Sequence, residues 1–106
     1  MVKAKYTVKD TTHTLVLLGH ANYAEHGKDI VCAGVSALVQ ALIGWIEETD
    51  QTVKCISIDE KEAEVIISCE GDEDVATAFN IACIGLGQIA NSYPNHVHIN
   101  IIGTAD

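Results

Sequence analysis

The chain has 106 residues, the size of one domain, and 48% of them are hydrophobic. It carries 15 acidic residues, six Lys and no Arg, for a formal net charge of −9. Because basic side chains that neutralise phosphates supply most nucleic-acid affinity, this charge argues against a nucleic-acid partner. The apolar content excludes a disordered chain. We therefore expect a single domain over residues 1–106.

The negative charge is concentrated in residues 47–74, which hold 11 carboxylates and two Lys. A solvated surface is one interpretation of this segment, and attraction of a basic partner is the other. No continuous apolar run reaches the ~18–20 residues that a membrane span needs, and the N terminus lacks the apolar block of a signal peptide. We expect a cytoplasmic protein that does not insert into a membrane, with its four cysteines reduced.

Hydrophobic periodicity predicts seven elements in the order ββαββαβ. Alternating or β-branched apolar runs predict five strands, over 2–8, 13–18, 53–58, 63–69 and 96–102. Apolar residues at helical spacing predict two helices, over 30–48 and about 73–91. This order predicts an α+β two-layer sandwich, with both helices on one face of a mainly antiparallel sheet.

The segment between the second strand and the first helix, 19–29, is eleven residues long and has no clear period. Connections of this length are often functional. Asp29 stands where the N-cap of the first helix belongs, and Asp72 holds the same position before the second helix. Gly85 and Gly87 inside the second helix indicate close packing against a neighbour.

Cys32 and His20 are the candidate reactive pair. Cys32 is the third residue after Asp29 and so lies in the first helical turn, where free N–H groups and the helix dipole favour negative charge. Thiols in such positions become nucleophiles at neutral pH. The long segment can bring His20 beside Cys32 as its acid–base partner. Ser36, four residues later, shares the face of Cys32 and bonds either to a substrate or back to its own helix.

The other cysteines and histidines favour structural interpretations. Cys55, Cys69 and Cys83 lie in apolar-patterned segments and are predicted to be core residues, whereas His13 is predicted at the surface. His96 and His98 are expected to form an exposed or interface pair, because no third ligand at zinc spacing accompanies them. We predict no metal site and no cofactor. Trp45 is expected to pack or to contact a second subunit.

Residues 19–38, GHANYAEHGKDIVCAGVSAL, resemble the signature of the ribosomal-processing cysteine protease family, Prp. That signature is Gly-His-Ala, a short variable loop, Gly-x-Asp-Ile-Val-Cys, two small residues and Val-Ser-Ala. Residues 85–99 are similar to the family's second helix and last strand, more loosely. Length, element order and acidity agree, so the resemblance covers essentially the whole chain.

The resemblance implies a cysteine endopeptidase in the bacterial cytoplasm. Such enzymes remove a short hydrophobic N-terminal extension from large-subunit ribosomal protein twenty-seven, cutting after Phe, and form homodimers. Cys32 matches the nucleophile and His20 the catalytic histidine. Asp29 and Ser36 match supporting positions, and Asp29 is either the helix cap or a third catalytic member. The remaining matched positions are expected to shape the substrate-binding loop: Gly19, Ala21, Gly27 and Ile30.

Two other functional classes are compatible with the same residues. One is a non-enzymatic, acidic, dimeric module that binds a basic ribosomal or assembly partner. The other is a redox or acyl-carrier protein that uses the Cys32 thiol. Replacing Cys32 by Ser separates the classes, because a binding module retains its function and a protease loses it.

Overall fold

The computed structural model describes residues 1–103 and contains five strands and two helices in the predicted order. The strands are β1 (Val2–Lys9), β2 (Thr12–Leu18), β3 (Lys54–Asp59), β4 (Glu64–Glu70) and β5 (Val97–Gly103). The helices are α1 (Ile30–Glu48) and α2 (Glu73–Ser92). The predicted ββαββαβ sandwich is confirmed, and every predicted boundary falls within one residue of that in the structure.

The five strands form one sheet in the order β3-β4-β2-β1-β5. Three neighbouring pairs are antiparallel, and β1 pairs with β5 in parallel, so the sheet is mixed. The parallel pair arises because α2 intervenes between β4 and β5, which allows β5 to cross over and lie beside β1. The sheet is thus mainly antiparallel, as its sequence pattern predicts.

The core lies between the sheet and the two helices. Along β1, buried residues alternate with exposed lysines, so one face of the sheet is apolar and the other is exposed to solvent. Both helices bury a stripe of residues at helical spacing against this apolar face. The largest side chains with almost no exposed surface are Phe79, Leu15, Ile46, Ile67 and Leu86.

The two helices approach each other closely at Gly85 of α2. A Cβ atom placed on Gly85 would lie 2.6 Å from Cδ2 of Leu38 in α1, which is closer than atoms tolerate. A Cβ atom on Gly87 would meet nothing within 4 Å. The expectation that both glycines mark close packing is therefore right for Gly85 and wrong for Gly87, because Gly87 lies away from the contact.

His13 is buried, with 5% of its surface exposed, and the prediction of a surface histidine is wrong. Its ring stacks against Phe79 and Tyr6, and its Nδ1 lies 2.6 Å from the Tyr6 hydroxyl. Burial lowers the pKa of His13, so the neutral ring is favoured, and burial raises the pKa of Tyr6 to about 12. His13 occupies an inward position of β2, and the Tyr6 hydroxyl supplies the polar partner that makes its burial tolerable.

The three cysteines outside α1 differ in burial. Cys69 and Cys83 are buried, as predicted, and burial raises the pKa of both thiols. Cys55 is exposed, so its prediction as a core residue is wrong. It lies on β3, an edge strand, opposite Ser68 and on the face that no helix covers.

Helix α1 is 19 residues long and apolar enough to meet the length and composition criteria for a membrane-spanning helix. The lack of a long continuous apolar run in the sequence therefore does not by itself exclude a membrane-spanning helix. Core helices pass the same test, and α1 buries six side chains, among them Val31, Val39 and Ile46, in the core beneath it. Length and composition alone are weak evidence for a membrane span.

Candidate active site

His20 is the second residue after β2, and hydrogen bonds hold the backbone beside it. The preceding Gly19 has φ +95°, and its N–H donates to the Ala63 carbonyl at 2.9 Å. A Cβ atom at Gly19 would collide with the Met1 carbonyl oxygen, and the positive φ is unfavourable for other residues. Glycine is therefore required here, and it turns the chain so that the exposed His20 follows the central strand.

Cys32 lies in the first turn of α1 and is half-buried. Asp29 is the N-cap of this helix, and its Oδ1 accepts a hydrogen bond from the Cys32 N–H at 2.8 Å. The cap fixes the first turn, and with it the position of the thiol. The Asp29 contact also occupies the Cys32 N–H, so this group is not free to stabilise a substrate oxyanion in this structure.

The second carboxylate oxygen of Asp29 holds the loop that precedes the helix. Its Oδ2 accepts from the N–H of Tyr23 at 2.9 Å and of Ala24 at 3.3 Å. These bonds, with the Cys32 N–H the strongest contributor, hold the pKa of Asp29 below its usual value. Within residues 1–103, no hydrogen bond joins Asp29 to His20. The Asp29 carboxylate caps the helix through Cys32 and holds the loop through Tyr23 and Ala24, and we call this second contact the loop clasp.

One cavity of about 430 Å³ brings the predicted pair together with its neighbours. His20, Cys32, Ser36 and Asp29 all line it. Among the hydrogen bonds of residues 1–103, none joins His20 to Cys32 and none ties the Ser36 hydroxyl back to its helix. His20, Cys32 and Ser36 therefore line one cavity, and within residues 1–103 their side chains make no hydrogen bond.

A second cavity, of about 300 Å³, adjoins the first and shares His20, Cys32 and Ser36 with it. Its walls include Val35, Val39 and Ile43 of α1 and Leu17, Ile58 and Val65 of the sheet. Asp59, Glu60 and Glu64 of the β3–β4 hairpin also line it. The result is an apolar groove with acidic residues along its hairpin side, leading away from the Cys32 thiol.

The predicted loop residues have different surroundings. Ala21 and Gly27 line the first cavity, and Gly19 lines the second. Ile30 lines neither cavity, and 60% of its surface is exposed at the start of α1. His26, which falls in the variable part of the motif, also lines the first cavity. The structure thus assembles most of the predicted positions and leaves Ile30 at the edge.

His96, Tyr23 and Tyr93 form a contact that sequence patterns did not indicate. His96 Nδ1 lies 2.9 Å from the carbonyl oxygen of Ala21, the residue after His20. The Tyr23 ring meets the rings of Tyr93 and His96 edge-on, with centroids 5.2 and 5.3 Å away. Residues 70 or more positions apart meet here, and no short-range spacing signals such a contact. The predicted pairing of His96 with His98 does not describe it, since His98 is exposed and His96 precedes β5.

A thiol and an imidazole that share an open cavity at a helix N terminus suit nucleophilic acyl transfer. The adjoining groove suits an apolar peptide segment, since ligand sites are mostly apolar clefts with few polar groups. Groups of three or more metal-ligating side chains are absent from residues 1–103. The thiol and imidazole that line this cavity are the side chains that a thiol hydrolase uses.

Comparison with known proteins agrees with this chemistry. The family model described as cysteine protease Prp matches residues 1–98. The ribosomal processing cysteine protease Prp of Mycoplasma genitalium is 38% identical over 91 residues, which are 81% of this chain and 85% of that protein. The Mycoplasma pneumoniae protein of the same name is 30% identical over 91 residues, covering 80% and 83% of the two chains.

A solved structure shares the fold over nearly the whole chain. It is the ribosomal processing protease Prp from S. aureus, in complex with a covalently linked product peptide. The TM-score is 0.83 at 24% identity, with 96% of this chain and 100% of that chain covered. At 24% identity, this structural match supports the fold alone. The assignment to a family rests on the family-model match and on the two Mycoplasma relatives. The chain belongs to the cysteine protease Prp family of ribosomal processing proteases.

Proposed function

We propose that this chain removes a short hydrophobic N-terminal extension from large-subunit ribosomal protein twenty-seven, cutting after Phe. The observation that carries the proposal is the shared lining of the two cavities by His20, Cys32 and Ser36. A peptide in the apolar groove would pass the thiol at the point where the imidazole is also exposed. The family's activity supplies the reaction class, and the groove supports an apolar substrate.

In the proposed reaction, His20 takes the proton of the Cys32 thiol, and the sulfur attacks the scissile carbonyl carbon. The tetrahedral intermediate collapses when His20 returns that proton to the leaving amine, which breaks the C–N bond and leaves a thioester on Cys32. Water, deprotonated by His20, then attacks the thioester and releases the new carboxyl terminus. The thiol recovers its proton from His20, so no co-reactant besides water is needed.

Ser36 is the proposed donor to the oxyanion. The N–H groups of Cys32 and Ala33 are already engaged, since Cys32 donates to the Asp29 carboxylate and Ala33 donates to the Asp29 carbonyl. The Ser36 hydroxyl lies one turn beyond Cys32, on the same face, and lines both cavities. Asp29 supports the site by holding the first turn of α1 and the loop, without contacting the reacting atoms.

The apolar groove gives the proposed extension a place to bind. Along α1, its lining runs from Cys32 to Ile43, about 16 Å at 1.5 Å per residue. An extended peptide covers that length with about five residues, at ~3.3 Å each. The acidic hairpin beside the groove favours a substrate that carries basic residues, as ribosomal proteins do, and such attraction weakens with salt.

A cleavage assay tests the proposal. The substrate is a synthetic peptide in which a hydrophobic extension ends in Phe-Phe and is followed by Ala, and mass spectrometry locates the cut. Wild type is expected to cut after the second Phe, and Cys32→Ala is expected to leave the peptide intact. Cys55→Ala is the matched control, because it removes an exposed thiol that lies on the other face of the sheet.

The assay also separates the alternative functions. Binding of the peptide without cleavage by wild type would favour the non-enzymatic module. A stable modified thiol on Cys32 without cleavage would favour the redox or acyl-carrier protein. Equal cleavage by wild type and Cys32→Ala would remove Cys32 as the nucleophile.

We further propose a homodimer in the bacterial cytoplasm. The supporting feature is an apolar groove between the outer sides of α1 and α2, lined by Leu38, Ala41, Trp45, Ala78 and Ile81. Ile81, which lines this groove, and Ile84 of the same helix both have more than 60% of their surfaces exposed. Sedimentation of wild type against Ile81→Glu measures whether this surface joins two copies.

A further inference from the structure

We infer that His96 is a positioning residue for His20, acting through the Ala21 carbonyl with Tyr23 and Tyr93 as its aromatic support. The inference rests on the proposed function, because it assigns His96 a role in the reaction that His20 carries out. His96 does not line the cavity that holds Cys32, so it acts at a distance from the reacting atoms.

The first step is the bond between His96 and the catalytic segment. A carbonyl oxygen only accepts, so the His96 Nδ1 carries a proton and donates it to the Ala21 oxygen at 2.9 Å. Ala21 is 1% exposed, so its carbonyl lies where loss of this partner is expensive. The bond fixes the peptide unit between Ala21 and Asn22, one residue beyond His20.

The second step is that His20 is anchored on both sides. Before it, the Gly19 N–H is held by the Ala63 carbonyl at 2.9 Å. After it, the Ala21 carbonyl is held by His96. His20 itself is exposed and makes no side-chain hydrogen bond within residues 1–103. Its orientation therefore depends on the backbone at its two neighbours.

The third step is that His96 is itself fixed. Its carbonyl accepts from the Val2 N–H at 2.8 Å, and its N–H donates to the Tyr93 carbonyl at 2.9 Å. These bonds tie it to the start of β1 and to the end of α2. Because the His96 backbone is held at both points, its side chain holds the Ala21 carbonyl at a fixed place relative to the sheet.

The fourth step concerns the loop that follows His20. The Tyr23 ring stands edge-on to both His96 and Tyr93, at interplanar angles of 82° and 79°. Edge-on aromatic pairs attract each other beyond the effect of the area that they bury. The Tyr23 N–H is held separately by the Asp29 carboxylate. Backbone and ring of Tyr23 thus join the loop to α1 and to the chain just before β5.

The test compares two substitutions at one position. His96→Asn keeps an N–H donor at the place of Nδ1, whereas His96→Leu removes the donor and keeps bulk. Because a displacement of about 1 Å costs up to ~100-fold in rate, His96→Leu is expected to lower kcat by 10- to 100-fold with little change in KM. His96→Asn is expected to restore kcat to within a few-fold of wild type. His98→Asn, two residues away and exposed, is the matched control.

A second measurement does not depend on cleavage. The ring resonances of His20, assigned by their loss in His20→Asn, are followed by NMR in each variant. His96→Leu is expected to shift or broaden them, and His96→Asn and His98→Asn are expected to leave them near the wild-type positions. If wild type fails to cut the peptide, the proposed function falls, and this spectrum still decides the positioning contact.

The inference would be overturned by a His96→Leu enzyme whose kcat and His20 resonances match wild type. It would also be overturned if His96→Asn were as impaired as His96→Leu, since the Nδ1 donor would then not be the cause. A loss of activity that only follows the unfolded fraction, with an unchanged kcat per folded molecule, would assign His96 a structural role alone.

Discussion

The two helices begin in similar sequences, but the aspartates at their N termini make different hydrogen bonds. Each is preceded by an aspartate at the N-cap position and each contains a cysteine. At α1, Asp29 accepts three backbone hydrogen bonds, one from the helix and two from the loop. At α2, Asp72 makes no side-chain cap bond, and Asp74 accepts from the Val75 N–H instead. The expectation that Asp72 caps α2 through its side chain is therefore wrong.

The difference follows from what precedes each helix. An eleven-residue loop leads into α1 and folds back over its first turn, so the Asp29 carboxylate has donors on two sides. Only Gly71 and Asp72 separate β4 from α2, so no loop exists for Asp72 to hold. The acidic Glu73 and Asp74 in the first turn of α2 already complement the helix dipole. A cap thus becomes part of a reactive site only where a loop supplies further donors and a ligand cavity.

The largest expected contrast is between the two helix cysteines. Cys32 lines the cavity, whereas Cys83 is buried, and burial raises the pKa of Cys83 to about 11 from an ordinary 9.0. Burial thus lowers the thiolate fraction of Cys83 and also shields its sulfur from a reagent, and only the thiolate reacts. Iodoacetamide is therefore expected to modify Cys32 at least 100-fold faster than Cys83 in the native protein.

Peptide mapping by mass spectrometry measures both rates in one sample, with denatured protein as the reference. Cys69, also buried, is expected to behave as Cys83 does. Similar native rates at Cys32 and Cys83 would contradict the described burial of the α2 thiol.

The next contrast lies between the two capping positions. Asp29→Ala is expected to lower kcat/KM by tenfold or more and to lower Tm, because it frees both the first turn and the loop. Asp72→Ala is expected to leave both nearly unchanged, since its side chain makes no cap bond. Peptide cleavage and thermal unfolding measure the two effects.

Asp29→Asn separates the two tasks of this carboxylate. Asparagine caps helices as well as aspartate does, with its one carbonyl oxygen. Its amide group would then face the donors of Tyr23 and Ala24 and release the loop. Tm close to that of wild type with reduced cleavage is expected. Full activity in Asp29→Asn would show that the loop clasp is unimportant for catalysis.

The smallest expected effect compares two glycines of α2. Gly85→Ala places a methyl group against Leu38 and is expected to destabilise the protein by about 1–3 kcal/mol. Gly87→Ala meets no atom within 4 Å and is expected to stabilise it by about 0.5–1 kcal/mol. Chemical denaturation of both variants gives the two values. Equal effects would mean that the helices do not approach at Gly85.

Local patterns predicted much of the fold. The helix over 30–48 was placed correctly because its apolar spacing is long and Asp29 marks its start. Errors arose where burial depends on distant partners. His13 is polar, but β2 is central in the sheet and the Tyr6 hydroxyl satisfies it. Cys55 lies in an apolar-looking run, but β3 is an edge strand whose outer face no helix covers.

For the candidate site, the sequence by itself determined the reactive residue types and the position of Cys32 in a first helical turn. These depend on neighbours within a few positions, and the short motif records them. Only the tertiary structure decided that His20, Cys32 and Ser36 share a cavity, that the Cys32 N–H is occupied, and that an apolar groove leads away.

The contact of His96 with the Ala21 carbonyl was likewise decided by the tertiary structure. It joins residues 75 positions apart, and it exists because β5 pairs in parallel with β1 and brings the end of the chain beside the loop. Periodicity reports which face of an element is buried, and it carries no information about which distant backbone group a side chain meets. Strand order supplies that information, and strand order is a property of the folded chain as a whole.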